Sequence, residues 1–438
     1  MTINTQNVRQ NPKPSIAIIG SGVSGLVLAY LLQSRYEVLV LEKQNRIGGH
    51  ANTIQLPLPG EADLSVDTGF IVYNDRNYPL FSQLLKKLHV KTQDSEMSFS
   101  AKHALLNLEY NGHHLNTLFA QRKNIFRPRF WKFLQEIMRF NRLALQQAEQ
   151  PIDPSLTLNH FLKQHQFQGD LLEWYLLPMI AAIWSSSTQS AQDFPLVFFM
   201  QFFKNHGLLA LRDRPQWRTI SGGSQQYVQA LCSSFRDKII TNSHITAIKR
   251  EAGKVIIQCH QQADLRVDQV AFACHSDEAL ALLSDASADE NRILSALPYR
   301  ENQAIVHQDI SIMPNSKRAW ASWNYWLTGK PEALPIVTYD MNRLQSLPTK
   351  QPILVTLNGE AHIDHRKILR TFTYHHPQFQ LSALAAQQQW SQISGVNHTH
   401  FCGAYWFNGF HEDGVRSAQR VSALLGGDQI GEAFSCPR

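Results

Sequence analysis

The chain has 438 residues, 43% of them hydrophobic, and a formal charge of +6, which suits a globular protein with two or three domains' worth of core and a weak preference for anionic partners. Its five cysteines, Cys232, Cys259, Cys274, Cys402 and Cys436, include no Cys-x-x-Cys pair, which speaks against both a disulfide framework and a zinc site; no metal is expected. The longest apolar stretches, Trp174 to Trp184 and Phe194 to Phe203, are about half of what a bilayer-spanning helix needs.

Residues 1–14 are polar, with Pro12 and Pro14 and no apolar run, which predicts a flexible leader, a cytoplasmic location and reduced thiols. Then Ile16 to Ile19 reads as a buried strand, Val23 to Leu32 as a helix and Glu37 to Leu41 as a second strand. The turn between the first strand and the helix carries Gly20, Gly22, Val23, Ser24 and Gly25. Gly20 permits the tight turn, Gly22 lets the backbone approach a pyrophosphate, and Gly25 allows close helix–strand packing. The helix N-terminus then holds the negative charge. Glu42, 22 positions after Gly20 and followed by Lys43, stands where a carboxylate accepts hydrogen bonds from adenosine ribose hydroxyls. In this strand–turn–helix context the fingerprint predicts a dinucleotide-binding fold.

Next come Arg46, Gly48, Gly49 and His50, then Asp67, Thr68 and Gly69. From Tyr78 to about Trp217 the apolar spacing predicts mainly helix, over Phe81 to Leu88, Phe130 to Leu145 and Leu158 to Leu177. Within that block, residues 121–142 carry seven Lys and Arg against the single acid Glu136, interleaved with Phe126, Phe130, Trp131 and Phe133. The segment suits peripheral contact with an anionic membrane at the inner face, and equally a solvated helix whose rings pack inward. No nucleic-acid-binding signature accompanies the charge. Strands are predicted at Lys238 to Ile240, Ile245 to Ile248, Val255 to Cys259, Gln269 to Ala273, Ala304 to Val306, Ile336 to Tyr339 and Ile353 to Leu357. Two further glycine elements stand out: Gly222-Gly223 before a helical run to Leu231, and a strand, loop and helix from Phe401 through Gly403, His411, Glu412, Asp413 and Gly414. His411, Glu412 and Asp413 also read as an ordinary acidic helix cap.

The glycine pair after the ribose-binding acid, Gly222-Gly223 and the C-terminal loop together resemble the flavin amine oxidase superfamily, which includes monoamine oxidases, protoporphyrinogen oxidases and phytoene desaturases. That resemblance implies FAD as cofactor and an α/β fold: a Rossmann-type, glutathione reductase-like FAD-binding domain with an interleaved α+β substrate domain in a monoamine oxidase-like arrangement. It implies a cofactor domain from 15–75, 215–285 and 395–438, and a substrate or cap domain from 76–214 and 286–394. It places Arg46, Gly48, Gly49, His50, Thr68 and Gly69 near the phosphates and flavin, with His50 where many relatives carry a second arginine. It sets Gly403, His411, Glu412, Asp413 and Gly414 at the flavin's pyrimidine edge.

Asp67 to Asn74, Val306 to Asp309, Trp320 to Tyr325 and Gly409 to Gly414 more narrowly resemble bacterial predicted NAD/FAD-binding oxidoreductases associated with cyclopropane-fatty-acid synthase-like methyltransferases. Such a resemblance implies a modified or unsaturated lipid acyl substrate and a lipid methyltransferase as partner. Monoamine oxidases carry a lysine near flavin N5 where alignment through Ala304 to Val306 puts Gln303, which argues against simple amine oxidation. A hydride leaves readily only beside nitrogen or at an allylic carbon, so an acyl substrate should already hold a double bond, giving desaturation or double-bond isomerisation. Trp323, Tyr325, Tyr405, Trp406 and Phe410 are the candidate lining of an apolar channel, and His307 and His411 the candidate proton donors or acceptors. A small-amine oxidase, a nicotinamide-dependent reductase and a non-catalytic flavin-binding partner of a lipid methyltransferase are the competing readings.

Overall fold

A computed structural model of the chain describes residues 13–60, 62–167, 169–184, 194–205, 209, 215–261, 263–328 and 336–431. The leader up to residue 12 and Cys436 lie outside them. The N-terminal β-α-β unit forms as its apolar pattern requires. Strands Ser15–Ile19 and Glu37–Leu41 pair in parallel, Ile16 opposite Val38 and Ile19 opposite Leu41, joined by helix Val23–Leu32. That helix is apolar almost all round, with Leu26, Val27, Leu28, Ala29, Leu31 and Leu32 fully buried, so it must be covered on more than one side. Helices His411–Leu424 and Gln225–Cys232 cover it.

The sheet containing this unit has five strands, in the order Ile239–Ile240, Glu37–Leu41, Ser15–Ile19, Gln269–Phe272 and Thr399–Phe401, all paired in parallel. Its strands are drawn from three distant stretches of chain. Both faces of a parallel sheet are buried, and accordingly Ile16, Ala17, Ile18, Val270, Ala271, Phe272 and Phe401 are all inaccessible. A three-stranded antiparallel sheet, Ile245–Glu251, Lys254–Cys259 and Leu265–Val267, stands beside it.

The second large sheet has seven strands, in the order Ile368–Pro377, Tyr299–His307, Leu354–Leu357, Ile336–Asp340, Trp323–Leu327, Phe99–His103 and Leu108–Asn111. Helices Pro128–Gln147, Leu158–Gln164, Leu177–Trp184 and Leu196–Asn205 enclose a separate core dominated by phenylalanine, with Phe140, Phe161, Phe199 and Phe203 buried at its centre.

The block from Tyr78 to Trp217 is mainly helical over its described residues, and it also contains strands Thr92–Ser95, Phe99–His103 and Leu108–Asn111. The first two find partners far away in sequence, Trp217–Ile220 and Trp323–Leu327, while Leu108–Asn111 pairs with Phe99–His103 in a local hairpin, so tertiary pairing makes strands of segments with little local apolar alternation. The helix expected over Leu158 to Leu177 stops at Gln164, and the chain turns through Gln166 at φ 54° before resuming at Gly169. A left-handed residue cannot continue a right-handed helix.

Candidate active site

In an open parallel sheet, ligands bind beyond the carboxyl ends of the strands, and the glycine turn sits there. Gly20 adopts φ 105°, donates its N–H to Leu41 O at 2.8 Å, and would bring a Cβ to 3.0 Å from Ala273 O. Gly25 is tighter: a Cβ there would stand 2.0 Å from Gly20 O. Gly22 differs from both. It has φ −67° and ψ 178°, and nothing lies within 4 Å of where its Cβ would be. The helix it opens has no side-chain cap and no acid in its first turn, so its leading N–H groups and its dipole face open space.

Around this opening the chain folds a second glycine turn. Gly49, at φ 58°, brings its Cβ direction to 3.0 Å from Gly22 Cα, and Gly48 N–H donates to Ser21 O at 2.9 Å. Arg46 donates to Gly49 O at 2.7 Å, fixing the turn from outside. Glu42 receives both Ser21 N–H, at 2.9 Å, and the Ser21 hydroxyl, at 2.5 Å, on Oε2, and Gln44 N–H at 2.8 Å on Oε1; Oε1 keeps a lone pair for a further donor. Lys43 is exposed and pairs loosely with Glu278 at 3.8 Å, away from the turn.

Behind His50 stands a group of rings that sequence reasoning missed. His50 stacks on Tyr374 at 5.0 Å and approaches His376 at 5.4 Å, while His275 stacks on Tyr299 at 4.1 Å and Tyr299 meets Tyr405 edge-on at 6.0 Å. Burial, then the neighbouring His376 and His275, hold His50 well below the ordinary histidine value. Its Nε2 is buried without a partner, as are Tyr405 Oη and Trp406 Nε1 in the loop following strand Thr399–Phe401. Such orphans are costly unless something outside the chain satisfies them. The uncapped helix N-terminus, the clearance over Gly22 and these orphaned polar atoms fit an elongated ligand with an anionic middle and polar ring edges, which is the shape of FAD. The alternation of Tyr374 and His376 on strand Ile368–Pro377 was the only signal available for this wall.

Asp67 ties strand Thr53–Leu56 to the turn before helix Gln225–Cys232 and to Gln345. Fully buried, it accepts from Thr53 Oγ1 at 2.6 Å, Ser224 Oγ at 2.7 Å, Ser224 N–H at 2.9 Å and Gln345 Nε2 at 3.0 Å. Burial pushes its carboxyl up to about 6 against the pull of those donors. Gly223, at φ 92°, is required there because a Cβ would fall 2.3 Å from Thr53 Cγ2.

Several candidate residues turn out to serve the fold. Thr68 has its hydroxyl on Tyr374 Oη at 2.7 Å and Asn52 O at 3.1 Å, and its N–H on Asn52 O, so its side chain and N–H are taken up within the chain. Gly69 packs beneath the His50 carbonyl, where a Cβ would come within 2.4 Å. Glu412 accepts Leu80 and Phe81 N–H at 3.0 and 2.9 Å, capping helix Pro79–Lys87. Asp413 accepts Phe410 N–H at 3.0 Å, capping its own helix. Burial pushes each of these two carboxyls up to about 7. Gly414 is the crossing point of helices His411–Leu424 and Val23–Leu32, its Cβ direction 2.6 Å from Val23 Cγ1 and 3.0 Å from Ser24 Oγ. The acidic-cap reading of this segment is therefore the one the geometry supports.

Burial holds both candidate histidines below the ordinary value. His307 is fully buried, receives Asp309 N–H on Nδ1 at 3.0 Å and bonds Thr356 Oγ1 through Nε2 at 2.7 Å; burial holds it down to about 4. With both nitrogens engaged it has none to offer a substrate. His411 lies flat on Phe70 at 3.6 Å with Nε2 on Tyr227 Oη at 2.8 Å, and burial holds it down to about 3.

Among the proposed lining residues, Trp323 and Tyr325 project from one face of their strand, which contacts helix Leu177–Trp184. Tyr405 and Trp406 are buried in the loop after Gly403. Phe410, at the N-cap of the closing helix, stacks on Phe202 of the helical layer at 4.9 Å, and Phe198 stacks on Phe379 beside it at 4.8 Å.

Over residues 23–307 the chain matches the family described as flavin containing amine oxidoreductase. A stretch of 96 residues is 31% identical to achacin of Lissachatina fulica, covering 21% of this chain and 18% of achacin. Solved structures of the same fold include cyclohexylamine oxidase from Brevibacterium oxydans IH-35A, with TM-score 0.67, 17% identity and 94% and 99% of the two chains covered. Putrescine oxidase bound to putrescine has TM-score 0.69 at 14% identity, with 94% and 99% covered. The CLA-producing fatty acid isomerase from P. acnes has TM-score 0.67 at 16% identity, with 95% and 99% covered. With more than half of its length on the family's pattern and a dinucleotide turn shaped for FAD, the chain belongs to the flavin-containing amine oxidoreductases and is an FAD-dependent oxidoreductase.

Proposed function

We propose that the protein acts on an apolar substrate, an unsaturated or modified fatty acyl chain of a lipid: a hydride would pass to FAD from the carbon next to a double bond, and loss of a proton from a neighbouring carbon would give desaturation, or return of the hydride elsewhere double-bond isomerisation. The carrying observation is the composition of the wall at the N-terminus of the closing helix. It is phenyl: Phe410, Phe202, Phe379 and Phe198 in stacked pairs. The acids nearest to it in the chain, Glu412 and Asp413, are turned onto backbone N–H groups, so neither is presented to an ammonium ion. Gln303 stands where alignment with monoamine oxidases puts their lysine, and its strand neighbour Asn358 accepts its N–H at 3.1 Å. The fold itself serves both amine oxidases and a fatty acid isomerase, so it does not decide between them.

FAD, when bound, supplies the two-electron chemistry. The turn at Gly22 and Gly49 would hold its phosphates, the rings around His50 would lie against it, and the phenylalanine wall would help keep water out. His307, held neutral by burial and with both ring nitrogens engaged, would move no proton to substrate.

The test is anaerobic mixing of the yellow holoprotein with unsaturated fatty acids or phospholipids and, separately, with small amines, followed by flavin absorbance and mass spectrometry of the lipid. Bleaching or a shifted double bond with lipid supports the proposal. Bleaching with amines alone, and unchanged acyl chains in a deletion strain, would overturn it.

A further inference from the structure

We propose that the surface at the N-terminal end of helix Pro128–Gln147 docks onto an anionic phospholipid bilayer. Large apolar side chains are exposed there to an unusual degree: Phe126 is 85% exposed, Leu115 74%, Trp131 46% and Ile125 41%. They are held together. Trp131 Nε1 donates to Ile125 O at 2.8 Å, the Trp131 ring lies 5.2 Å from Phe119, and Arg122 donates to Phe119 O at 3.0 Å, tying in the short helix that begins at Leu115. Single exposed apolar residues are ordinary, but a contiguous group implies something that covers it.

Charge identifies the cover. Arg129 is neutralised by Asp170 at 2.7 Å and Arg139 by Glu136 at 3.4 Å. Arg122, Lys123 and Arg127 are exposed on the segment bearing Ile125 and Phe126, and make no ion pair among the described residues. A surface with rings at its tip and unneutralised cations beside them complements acyl chains beneath a layer of anionic phosphates. A second copy of the chain is a poor match, because an isologous contact would set these cations against their own kind. No helix among the described residues is long and apolar enough to cross a membrane, so the contact would be peripheral. This inference is independent of the acyl-substrate reading, since docking requires no turnover.

The experiment is co-sedimentation of the holoprotein with vesicles of phosphatidylcholine alone and of phosphatidylcholine mixed with phosphatidylglycerol. Binding is expected only to the anionic vesicles and should weaken as salt rises. The Lys123→Gln/Arg127→Gln variant should bind roughly 30-fold more weakly, at about fivefold per cation removed. Leu115→Ser/Phe126→Ser should lose binding while keeping wild-type flavin content, both side chains being outside the packed core. Equal binding to neutral vesicles, indifference to either variant, or a wild-type dimer that Leu115→Ser/Phe126→Ser dissociates in the absence of vesicle binding would each overturn the proposal.

Discussion

Gly22→Ala separates cofactor binding from folding. At Gly22 the backbone has φ −67° and ψ 178°, a region open to any L-residue, and no atom stands within 4 Å of the added Cβ. Folding of the flavin-free protein should therefore change by no more than about 0.5 kcal/mol, or rise slightly through a stiffer unfolded chain. With FAD present, the new methyl group occupies the approach to the pyrophosphate. Overpacking of that kind costs about 1–3 kcal/mol, which is about 5- to 150-fold in dissociation constant. Flavin absorbance per protein and melting curves with and without added FAD measure the two effects separately. Gly25→Ala is the contrasting control: its Cβ would lie 2.0 Å from Gly20 O, so it should unfold the apoprotein as well. Wild-type FAD affinity in Gly22→Ala would refute the placement of the pyrophosphate over this residue.

His307→Gln should leave turnover per bound flavin near wild type, which steady-state kinetics would show. Because burial holds the folded imidazole down to about 4 against an ordinary 6.5, the neutral ring contributes stability that is complete above about pH 6.5 and is lost progressively as pH falls towards 4. The shift corresponds to about 3 kcal/mol, and the acid limb of a denaturation-versus-pH curve should flatten by about that amount in the variant. Asp67→Ala strands four donor groups from three segments and should cost about 3 kcal/mol or more by urea denaturation; a loss under 1 kcal/mol would show that the clamp is dispensable. Gly414→Ala should lower stability by about 1–3 kcal/mol through the contact with Val23 and Ser24, and an unchanged melting temperature would mean the two helices part freely.

What was legible in the sequence was what local chemistry dictates. The turn from Gly20 to Gly25 is readable because the fold demands glycine at Gly20 and Gly25 and the approach of a pyrophosphate favours it at Gly22, and the buried parallel strands because they are runs of β-branched and apolar residues. The strands between Thr92 and Asn111 were not, since Glu109 and Asn111 are buried polar residues whose partners arrive from elsewhere: Glu109 accepts Asn315 and Ser316 N–H, and Asn111 donates to Trp320 O. The ring wall behind His50 was hidden for the same reason, being assembled from residues 50, 275, 299, 374 and 376. His307 misled because a histidine at a strand end beside an aspartate reads as reactive until its Nδ1 and Nε2 are both found to be engaged. Thr68 misled because its neighbours in sequence approach the cofactor turn while its own polar atoms face Asn52 and Tyr374.

The same physics distinguishes the helix that meets the cofactor from the helices that support it. Three helix N-termini belong to or adjoin this region, and each presents unpaired N–H groups. Glu412 caps helix Pro79–Lys87 from outside, and Asp413 caps helix His411–Leu424 from within. Helix Val23–Leu32 alone of the three has neither a side-chain cap nor an acid in its first turn. A buried carboxylate whose value is pushed up to about 7 is an expensive cap, so its use at two N-termini shows how strongly those N–H groups require an acceptor. At the third the chain supplies none and instead clears the space above Gly22. An acceptor must come from elsewhere, and the pyrophosphate of FAD would supply it, with Glu42 at one side placed to accept from ribose hydroxyls and the unpartnered ring atoms near His50 at the other.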